Sequence, residues 1–479
     1  MPGIIVQEAL EAEVQIDCLI IGGGAAGLTA ALAANEAGIS VLVVEREAQL
    51  SGSTALSSGL VPAATTAAQK AQSIDDSVDV FISDIMAKNK NLAAPDHVQV
   101  VVEQIPKTID WLMDEYDIPF IVLDNFLYPG HSNHRMHAVP EVTGAALINR
   151  LEAAVSANDV TVITNLQVTD LIVTRDGSAL GAKCMRPDNS APIIAAKQII
   201  LACNGYGGNP DLVKEHIPEM KDALYFGHPG NQGEAVLWGQ ELGADLAHLS
   251  GYQGHGSVAH PHGILVTWAV MMEGGIQVNL DGKRFSNEHG GYSEQAVAVL
   301  AQPNRTAFNI FDERLCKLGS DFEDFRVAKE NNAFVKGDTL DGLATVIGLD
   351  PVVLQATIDE CNDLAQSGEV DAFGRRFESS KLLKPPYYAV RVTGALFHTQ
   401  GGLVINADAQ VCRSNVRNND SDIINCNDKS VIFETIMACG GAACGVSGPD
   451  VSGYLSGNGL LTALSLGHIA GNTAGKLGK

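Results

Sequence analysis

Residues 16–46 read IDCLIIGGGAAGLTAALAANEAGISVLVVER, and this stretch decides the fold. An apolar strand, CLII, leads into the glycine turn Gly22-x-Gly24-x-x-Gly27, and a helix and a second strand ending in Glu45 are predicted to follow. In such a turn the first glycine permits a tight bend, the second lets the backbone approach a pyrophosphate, and the third lets helix and strand pack closely. Strand, glycines, helix, strand and acid in this order predict a dinucleotide site.

Each end of this unit has a chemical task. The helix N-terminus offers free N–H groups and a partial positive charge to phosphates. Glu45 ends the second strand, where a carboxylate can accept hydrogen bonds from an adenosine ribose. The alternative, a glycine-rich turn that holds no ligand, explains less of the pattern.

Composition limits the classes of protein and partner. A chain of 479 residues is too long for one ordinary core and predicts two domains. Its formal charge of −25 repels phosphate backbones and anionic lipids, so we expect neither nucleic acid partners nor membrane insertion. The nine cysteines form no C-x-x-C pair, which is typical of reduced thiols rather than disulfides or zinc ligands. The acidic N-terminus lacks an apolar signal core, and we expect a cytoplasmic protein.

Two further segments indicate which dinucleotide is bound. SGSTALSSGLVPAA (51–64) is small and hydroxyl-rich, and in QIILACNGYGGN (198–209) an apolar strand meets glycines. At both segments the chain resembles the flavoprotein family of fumarate reductase and succinate dehydrogenase, which also contains the 3-ketosteroid dehydrogenases. The resemblance implies FAD as the cofactor. No histidine lies among residues 51–58, where some members attach the flavin, so the FAD is expected to be non-covalent.

The resemblance also implies which residues line the cofactor. They belong to the glycine turn, the end of the second strand, the small-residue segment, the glycines after residue 200 and the start of the last helix. They are Gly22, Gly24, Ala25, Ala26, Gly27, Glu45, Arg46, Ser53, Thr54, Ser58, Gly59, Ala202, Gly205, Asn458 and Leu460.

The expected fold class is α/β, a Rossmann-like FAD-binding domain of the glutathione-reductase type with an inserted α+β cap that carries catalytic residues. We place the FAD-binding domain at residues 1–250 and 391–479 and the cap at 251–390. Helical patterns over 75–155 and an alternating β-rich run over 160–185 support this class. Further features are a family-like helix at 231–245, a polar tract at 412–430 predicted to be a surface excursion, and a small-residue helix starting near Asn458.

The cap departs from the reductases where catalysis takes place. Its segment ILVTWAVMMEGGIQVNLDGKRFSNEHGGY aligns without gaps with theirs, and Tyr292 stands where they place the proton-donating arginine. Trp268 and Met271 replace the glutamate and arginine of their proton relay. Near the C-terminus, where an arginine clamps a substrate carboxylate, this chain reads Gly453-Tyr454-Leu455-Ser456-Gly457. Two arginines have become two tyrosines.

Tyrosine changes the expected chemistry, because it cannot balance a carboxylate but can hydrogen-bond a carbonyl oxygen or, as phenolate, take a proton. The 3-ketosteroid Δ1-dehydrogenases use one cap tyrosine, in an NExxPY-like context similar to Asn287–Tyr292, to take a proton next to a ketone. A second tyrosine and a glycine N–H hold the enolate oxygen; the resemblance gives these roles to Tyr454 and Gly457, with Tyr454 about one position out of register. The simpler interpretation of Tyr292, a packing residue at a turn, stays open.

Three histidine patterns qualify this interpretation. His398 in FHTQGG matches the reductases' HTMGG histidine, which contacts a substrate carboxylate, although a structural role near the flavin is an equal alternative. The family's HPT motif is kept only in part, as His260-Pro261-His262. With His255 these residues look like a metal cluster, but ligand partners at suitable spacing are missing, and we expect no metal.

The leading hypothesis is an FAD-dependent dehydrogenase that introduces a C=C bond α,β to the carbonyl of a cyclic ketone, such as a 3-ketosteroid or cyclohexanone-type substrate. Tyr292 takes the α-proton, Tyr454 and Gly457 polarise the carbonyl, and the β-hydride passes to FAD. An external electron acceptor, a quinone or another, would reoxidise the cofactor. An enoate or enone reductase of the fumarate-reductase type, supported by His398, is the alternative. A flavin-binding protein without catalysis is the third possibility.

Overall fold

The computed structural model describes residues 2–12, 14–124, 126–414 and 431–478. Most of the polar tract expected to be a surface excursion, 412–430, lies outside these described residues.

The strands are numbered in chain order. They are β1 (Gly3–Val6), β2 (Val14–Ile21), β3 (Val41–Val44), β4 (Val61–Pro62), β5 (Ile121–Leu123), β6 (Met136–Ala138), β7 (Thr161–Ile163), β8 (Gln167–Val173), β9 (Ala179–Met185), β10 (Ile193–Leu201), β11 (Leu224–Tyr225), β12 (Leu246–Ala247), β13 (Tyr252–Ala259), β14 (Ile264–Leu265), β15 (Ile276–Val278), β16 (Thr306–Asp312), β17 (Phe334–Gly337), β18 (Tyr387–Thr399), β19 (Gly402–Leu403), β20 (Gln410–Cys412) and β21 (Ile432–Ala438).

The α-helices are α1 (Ala25–Glu36), α2 (Gly52–Ala55), α3 (Ala67–Ala71), α4 (Val78–Lys88), α5 (Pro95–Tyr116), α6 (Gly144–Ala157), α7 (Pro210–His216), α8 (Glu234–Leu242), α9 (Ala269–Met272), α10 (Tyr292–Leu300), α11 (Glu313–Gly319), α12 (Glu323–Glu330), α13 (Leu340–Ile347), α14 (Pro351–Ser367) and α15 (Asn458–Leu477). Short 3₁₀ turns include Val451–Gly453.

The β2–α1–β3 unit forms where the sequence predicts it. β2 and β3 pair in parallel from Cys18 opposite Val41 to Ile21 opposite Val44. β3 is buried along its whole length and α1 buries its first ten residues, which explains why both are almost uninterrupted runs of apolar and small residues. The predicted α/β class is confirmed.

The main sheet extends this unit on both sides, in the order β1-β8-β9-β10-β2-β3-β7. β10 pairs in parallel with β2 and, near its carboxyl end, with β21, which also pairs with β20. β8 and β9 form the antiparallel pair expected from the alternating run, joined by a turn that contains Gly177. Because β2 and β21 each pair in parallel with β10, the loops that follow these three strands lie at one edge of the sheet.

The last helix, α15, packs unusually closely against α1. A Cβ atom at Gly467 would lie 2.5 Å from the carbonyl oxygen of Ala26, and one at Gly471 would lie 2.3 Å from that of Ala30. The contacts advance in the same direction along both helices, so the helices are parallel. Gly467 is the tenth residue of α15, whereas Ala26 is only the second residue of α1. The N-terminus of α15 therefore lies about eight residues, or about 12 Å, before the N-terminus of α1 along the shared helix direction.

The chain falls into two compact units. The first contains Met1–Ile217, Gly227–Tyr252 and His398–Lys479, and the second contains Pro218–Phe226 and Gln253–Phe397. The second unit is built on a sheet in the order β14-β13-β18-β16-β15, with β11 and β17 paired to β18. The pairing of β11 with β18 explains why the short segment Pro218–Phe226 belongs to the second unit although it is remote in sequence.

The described residues also address the predictions made from composition. No helix among them is long and apolar enough to cross a bilayer. The eight cysteines in the described parts of the chain are free, whereas Cys426 lies outside them. Within the same parts of the chain, no group of three or more His, Cys, Asp or Glu side chains is placed to hold a metal ion.

Candidate active site

Packing within the protein accounts for two of the glycines in the turn between β2 and α1. Gly22 has a φ of +111°, which side chains rarely adopt, and a Cβ atom there would lie 2.5 Å from the carbonyl oxygen of Ala202. A Cβ atom at Gly27 would lie 1.9 Å from the carbonyl oxygen of Gly22. Both positions therefore require glycine for folding, with or without a ligand.

Gly24 differs from these two glycines, because the space beside it is open. Its φ of −80° and ψ of −176° are open to any residue, and a Cβ atom there would meet only the hydroxyl of Thr54, at 3.8 Å. Thr54 accepts a hydrogen bond from the Ala25 N–H at 3.3 Å, which fixes the first turn of α1. Since the protein tolerates a side chain at Gly24, the glycine keeps open a space in front of the helix, as a pyrophosphate requires.

The two charged residues after β3 are engaged by the chain. Glu45 accepts hydrogen bonds from the backbone N–H groups of Gly23 at 2.8 Å and Glu47 at 3.0 Å. A carboxylate has about four acceptor sites, so two remain for the predicted ribose contact. Arg46 forms an ion pair with the buried Glu234 at the start of α8, a partner that the sequence alone did not reveal.

The small-residue segment reaches the loop after β10 through Ser53. The hydroxyl of Ser53 accepts hydrogen bonds from the side-chain amides of Asn204 at 3.0 Å and Asn231 at 2.8 Å. A Cβ atom at Gly205 would lie 2.0 Å from the Thr399 hydroxyl, so this glycine permits the close approach of β18. The two asparagines were missed because each becomes significant only through its contact with Ser53.

Two other residues predicted in these segments have different surroundings. Ser58 is exposed, whereas Gly59 is buried and has a φ of +69°, so glycine suits its backbone.

The N-terminus of α15 is the second helix end of the site. Gly457, with a φ of +87°, precedes the first helical residue, Asn458, which is fully buried. The Asn458 side-chain oxygen has no hydrogen-bond partner among the residues that the structure describes. Leu460 packs into the core two residues further on. The N-termini of α1 and α15 are parallel and offset by about 12 Å along their axes, which fits an extended dinucleotide. Gly24 with α1 would hold the phosphates of this ligand, and Asn458 would hold the end of the ligand that lies away from them.

Tyr454 lies at this same helix end, together with two of its predicted partners. The phenol oxygen is hydrogen-bonded by the backbone at Gly459 and Gly457, while burial raises the pKa of the phenol well above its ordinary value. The ring of His398 meets the ring of Tyr454 edge to face at a centroid distance of 5.7 Å. The structure thus brings together Tyr454, Gly457 and His398, but the Gly457 backbone is already directed at the phenol oxygen.

His398 is neutral in this environment. Burial lowers the pKa of His398 to about 4, although a hydrogen bond to the Thr399 carbonyl opposes the shift. A Cβ atom at Gly459 would lie 2.7 Å from Nε2 of His398, so the glycine lets the imidazole reach the first turn of α15. A neutral imidazole can hydrogen-bond a substrate but cannot neutralise its charge.

Tyr292 belongs to the second unit and begins α10, directly after Gly291 with its φ of +141°. Its half-buried ring stacks on His255 at a centroid distance of 4.9 Å and an interplanar angle of 21°. His255 also stacks on Phe397 at 5.4 Å and meets Trp268 edge to face at 5.7 Å. Burial lowers the pKa of His255 to about 3, so this aromatic neighbour is uncharged at neutral pH.

The three histidines of the apparent metal cluster have different surroundings. His255 is buried against Tyr292, whereas His260 and His262 are exposed in the turn after β13. From sequence, His255 stood out only as part of an apparent metal cluster, and its place beside Tyr292 was missed. Trp268 and Met271 stand where the resemblance places the proton-relay residues of the reductases, and both are buried in the core of the second unit.

The loop in front of Tyr292 is held by a buried carboxylate. Glu288 forms ion pairs with Arg284 at 2.6 Å and with Arg375 at 2.9 Å, and it accepts a hydrogen bond from the Gln277 N–H at 2.9 Å. Burial favours the neutral form, but these contacts outweigh it and hold the pKa of Glu288 at about 2. The Trp268 ring N–H donates to the Glu288 carbonyl at 3.2 Å, so the loop is fixed through both side chain and backbone.

Comparison with known proteins identifies the family. The family described as FAD binding domain matches residues 17–459. A probable fumarate reductase of Shewanella frigidimarina is 30% identical over 462 residues, which are 96% of this chain and 74% of the relative. The resemblance inferred from the motifs is confirmed, as is FAD as the cofactor.

Solved structures agree with this assignment. A flavocytochrome c3 fumarate reductase in an open conformation superposes with a TM-score of 0.80 at 28% identity, covering 98% of this chain and 79% of the other. A 3-ketosteroid-Δ4-(5α)-dehydrogenase from Rhodococcus jostii gives a TM-score of 0.75 at 22% identity, covering 99% and 100% of the two chains. At that identity, the second likeness shows a shared fold.

Proposed function

The chain belongs to the FAD binding domain family, to which a probable fumarate reductase is 30% identical, and is an FAD-dependent oxidoreductase, and we propose that its substrate is a neutral carbonyl compound. The proposed reaction introduces a C=C bond α,β to the carbonyl of a cyclic ketone. Tyr292 takes the α-proton, and Tyr454 holds the carbonyl oxygen. FAD, when bound, accepts the hydride that leaves the β-carbon.

The observation that carries this proposal is the setting of Tyr454. The backbone at Gly457 and Gly459 hydrogen-bonds the phenol oxygen, and the O–H group of a tyrosine can donate to a carbonyl oxygen. The raised pKa keeps Tyr454 protonated, so it acts as a hydrogen-bond donor rather than a base. A donor of this kind stabilises the negative charge that develops on a carbonyl oxygen during α-proton removal. The Gly457 backbone would then orient the Tyr454 phenol, and the phenol would hydrogen-bond the carbonyl oxygen of the substrate.

Tyr292 is suited to the other half of the reaction. It stands in the first turn of α10, where the partial positive charge of the helix end favours a phenolate, although the carboxylate of Glu294 in the same turn disfavours it. Burial lowers the pKa of its stacked neighbour His255 to about 3, so this imidazole is a weaker base than an ordinary histidine. Of the two tyrosines, we therefore assign the proton acceptor to Tyr292.

The residues assigned to the proposed reaction favour a ketone over a dicarboxylate. Tyr454 and His398 in the first unit, and Tyr292 and His255 in the second, include no permanent cation. Without one, a buried dicarboxylate would lose several kcal/mol of hydration with too little compensation. We accordingly propose that fumarate and succinate are not substrates.

Reduction of an enone or enoate is the second candidate. It is favoured by the relative of Shewanella frigidimarina, which is named a probable fumarate reductase, and by His398, which offers a second neutral hydrogen-bonding group beside Tyr454. The same residues would serve in reverse, with Tyr292 donating its proton to the α-carbon.

Anaerobic assays in both directions separate these functions. One series combines steroid or monocyclic ketones with an artificial electron acceptor, and the other combines the matching enones, or fumarate, with reduced viologen. We expect ketone-dependent reduction of the acceptor. Faster turnover of enones would establish the second candidate, fumarate reduction at a comparable rate would exclude the neutral-substrate proposal, and a flavin that responds to none of these compounds would indicate a binding protein.

We propose an external electron acceptor, a quinone or another, and a cytoplasmic location. The formal charge of −25 supports neither a nucleic acid partner nor insertion into anionic lipid. Stopped-flow reoxidation of the reduced protein by quinones of differing potential would test the acceptor.

A further inference from the structure

A row of hydrogen-bonding side chains connects His398 to the first turn of α15. Gln400 lies with its side-chain amide 2.9 Å from Nδ1 of His398, and its other amide end is 2.7 Å from the Ser447 hydroxyl. That hydroxyl is 2.9 Å from the side-chain amide of Asn458. Gln400, Ser447 and Asn458 are all buried, so these contacts are shielded from water. We call His398, Gln400, Ser447 and Asn458 the amide relay.

The Thr399 carbonyl decides the direction of the first contact. Its oxygen lies 3.1 Å from Nδ1 of His398, in a geometry that suits a ring N–H. A carbonyl oxygen can only accept, so the proton of the neutral imidazole belongs on Nδ1. Nδ1 then cannot accept a hydrogen bond from Gln400, but the same amide end also lies 3.3 Å from Nε2, so the Nδ1 proton alone does not orient the amide. We assign the amide oxygen to this end because that orientation also removes the oxygen of Asn458 that lacks a partner in the described part of the chain.

The opposite side of the imidazole agrees with this tautomer. Nε2 lies over the first turn of α15, where a Cβ atom at Gly459 would be only 2.7 Å away. The helix N-terminus presents positive partial charge, which favours a lone pair over an N–H at the facing atom. With its proton on Nδ1, His398 turns its lone pair to this helix end.

The amide relay transmits this choice. A half-turn exchanges the oxygen and nitrogen of an amide without changing the heavy-atom distances. If Gln400 accepts from His398, its NH₂ group donates to Ser447, and the Ser447 hydroxyl donates to Asn458. The side-chain oxygen of Asn458 then faces Ser447, and its NH₂ group occupies the buried position on the side away from Ser447. In the opposite orientation of the amide, that position holds an oxygen without a hydrogen-bond partner among the described residues.

We propose that Gln400 and Ser447 are positioning residues that hold His398 with its proton on Nδ1. They thereby place the NH₂ group of Asn458 at its outer position, at the N-terminus of α15 that is proposed to hold one end of FAD. FAD offers acceptor atoms, both carbonyl oxygens and ring nitrogens, to such a donor. At the other end, Nε2 of His398 is left as a hydrogen-bond acceptor. Only the relevance of that acceptor to substrate rests on the proposed function.

The first test measures the tautomer directly. The imidazole ¹⁵N signals of the FAD-loaded protein, labelled at histidine and free of substrate, are recorded at pH 8, and His398 is assigned by the signal lost in His398→Asn. We expect a protonated, pyrrole-type Nδ1 and a pyridine-type Nε2. A proton on Nε2 would overturn the proposal, whatever the outcome of the ketone assays.

The second test breaks the relay in the middle. Ser447→Ala should move both His398 nitrogen signals toward the average of the two tautomers and shift the visible absorption bands of bound FAD. The matched control is Ser465→Ala, another buried serine, whose hydroxyl donates to the Val101 carbonyl at 3.1 Å away from the relay; it should change neither signal. Equal responses of the two variants would contradict a relay.

Gln400→Glu supplies a third test that does not depend on Ser447→Ala folding. A carboxylate can only accept, so it should keep the proton on Nδ1 and leave the tautomer as in the wild type. If Gln400 instead donates to Nδ1 in the wild type, the substitution must move the proton from Nε2 to Nδ1, which would refute the proposed direction.

Discussion

Tyr454 and Tyr292 carry the same phenol in two contrasting settings. Tyr454, in the first unit, is buried, its oxygen is held by backbone hydrogen bonds, and its pKa is raised. Tyr292, in the second unit, is half-buried at the start of a helix and stacked on a neutral histidine. We infer from this difference that environment divides the proposed roles, because a phenol that stays protonated cannot take a proton, while one at a helix N-terminus is better placed to release and take one.

The largest effect should come from loss of the cofactor, without which neither tyrosine can take part in the proposed reaction. Wild-type protein should be yellow and should release FAD on acid precipitation. Gly24→Val should give folded but colourless protein, because the new side chain has room within the protein yet fills the space in front of α1. Absorbance at purification, with thermal unfolding of both apoproteins, checks this. Colour that stays in the acid pellet would contradict non-covalent binding, and a yellow Gly24→Val protein would contradict the assigned phosphate site.

Removing the phenol oxygen of Tyr292 should cost more activity than removing that of Tyr454. Tyr292→Phe keeps the ring that stacks on His255 but removes the proton acceptor, and loss of a general base lowers the rate by about 10² to 10⁴. Steady-state kcat with the best ketone measures this loss. Tyr387→Phe, a half-buried tyrosine in β18, is the control and should leave kcat unchanged.

The same variant should alter the pH profile. An unperturbed phenol titrates near pH 10, so the wild-type rate should rise with pH into the alkaline range, by about tenfold per unit below that pKa. Tyr292→Phe should lose this rise, whereas Tyr454→Phe should keep it. Near-full turnover by Tyr292→Phe would mean that the loop only packs and that the proton goes elsewhere.

The loop in front of Tyr292 should depend on Glu288 for its stability. Glu288→Gln leaves two buried arginines without their shared charge and should reduce the free energy of unfolding by about 3–5 kcal/mol. The pKa of Glu288 is about 2 in the folded protein against 4.5 ordinarily, so its stabilisation is present above about pH 4.5 and is lost as the pH falls toward 2. Urea unfolding at pH 7 and pH 3 measures both effects. A variant as stable as the wild type at pH 7 would exclude this anchoring role.

Tyr454→Phe should have the smallest effect of the four substitutions. It removes one hydrogen bond to the carbonyl oxygen, which strengthens as negative charge develops, so kcat/KM should fall by about 10- to 100-fold with a contribution from weaker binding. Ketone titrations followed by flavin absorbance separate binding from rate. A loss larger than that of Tyr292→Phe would reverse the roles assigned to the two tyrosines.

Local sequence predicted the nucleotide turn because each of its requirements lies within some thirty residues. Gly22 adopts a positive φ, Gly27 lies against the carbonyl oxygen of Gly22, and Gly24 leaves space in front of α1, so the three glycines stand at a spacing that local sequence displays, although Gly22 also lies against Ala202. The apolar runs of β2, α1 and β3 follow from their burial in the same way. The α/β class and a dinucleotide site could therefore be inferred from the order of residues along the chain, whereas FAD as the dinucleotide followed from the family resemblance.

The contacts that give the tyrosines their different settings could not be inferred, because they join residues that are distant in the chain. Arg284 pairs with Asp371, 87 residues away, to support the Tyr292 loop, and Ser447 reaches Gln400 across 47 residues in the amide relay. Likewise, His255 in one strand became meaningful only when stacked on Tyr292 in a later helix. The sequence by itself determined the FAD-binding turn and the presence of two tyrosines in place of arginines. Tertiary packing alone decided burial, hydrogen-bond partners and charge, and these quantities decide what each phenol can do.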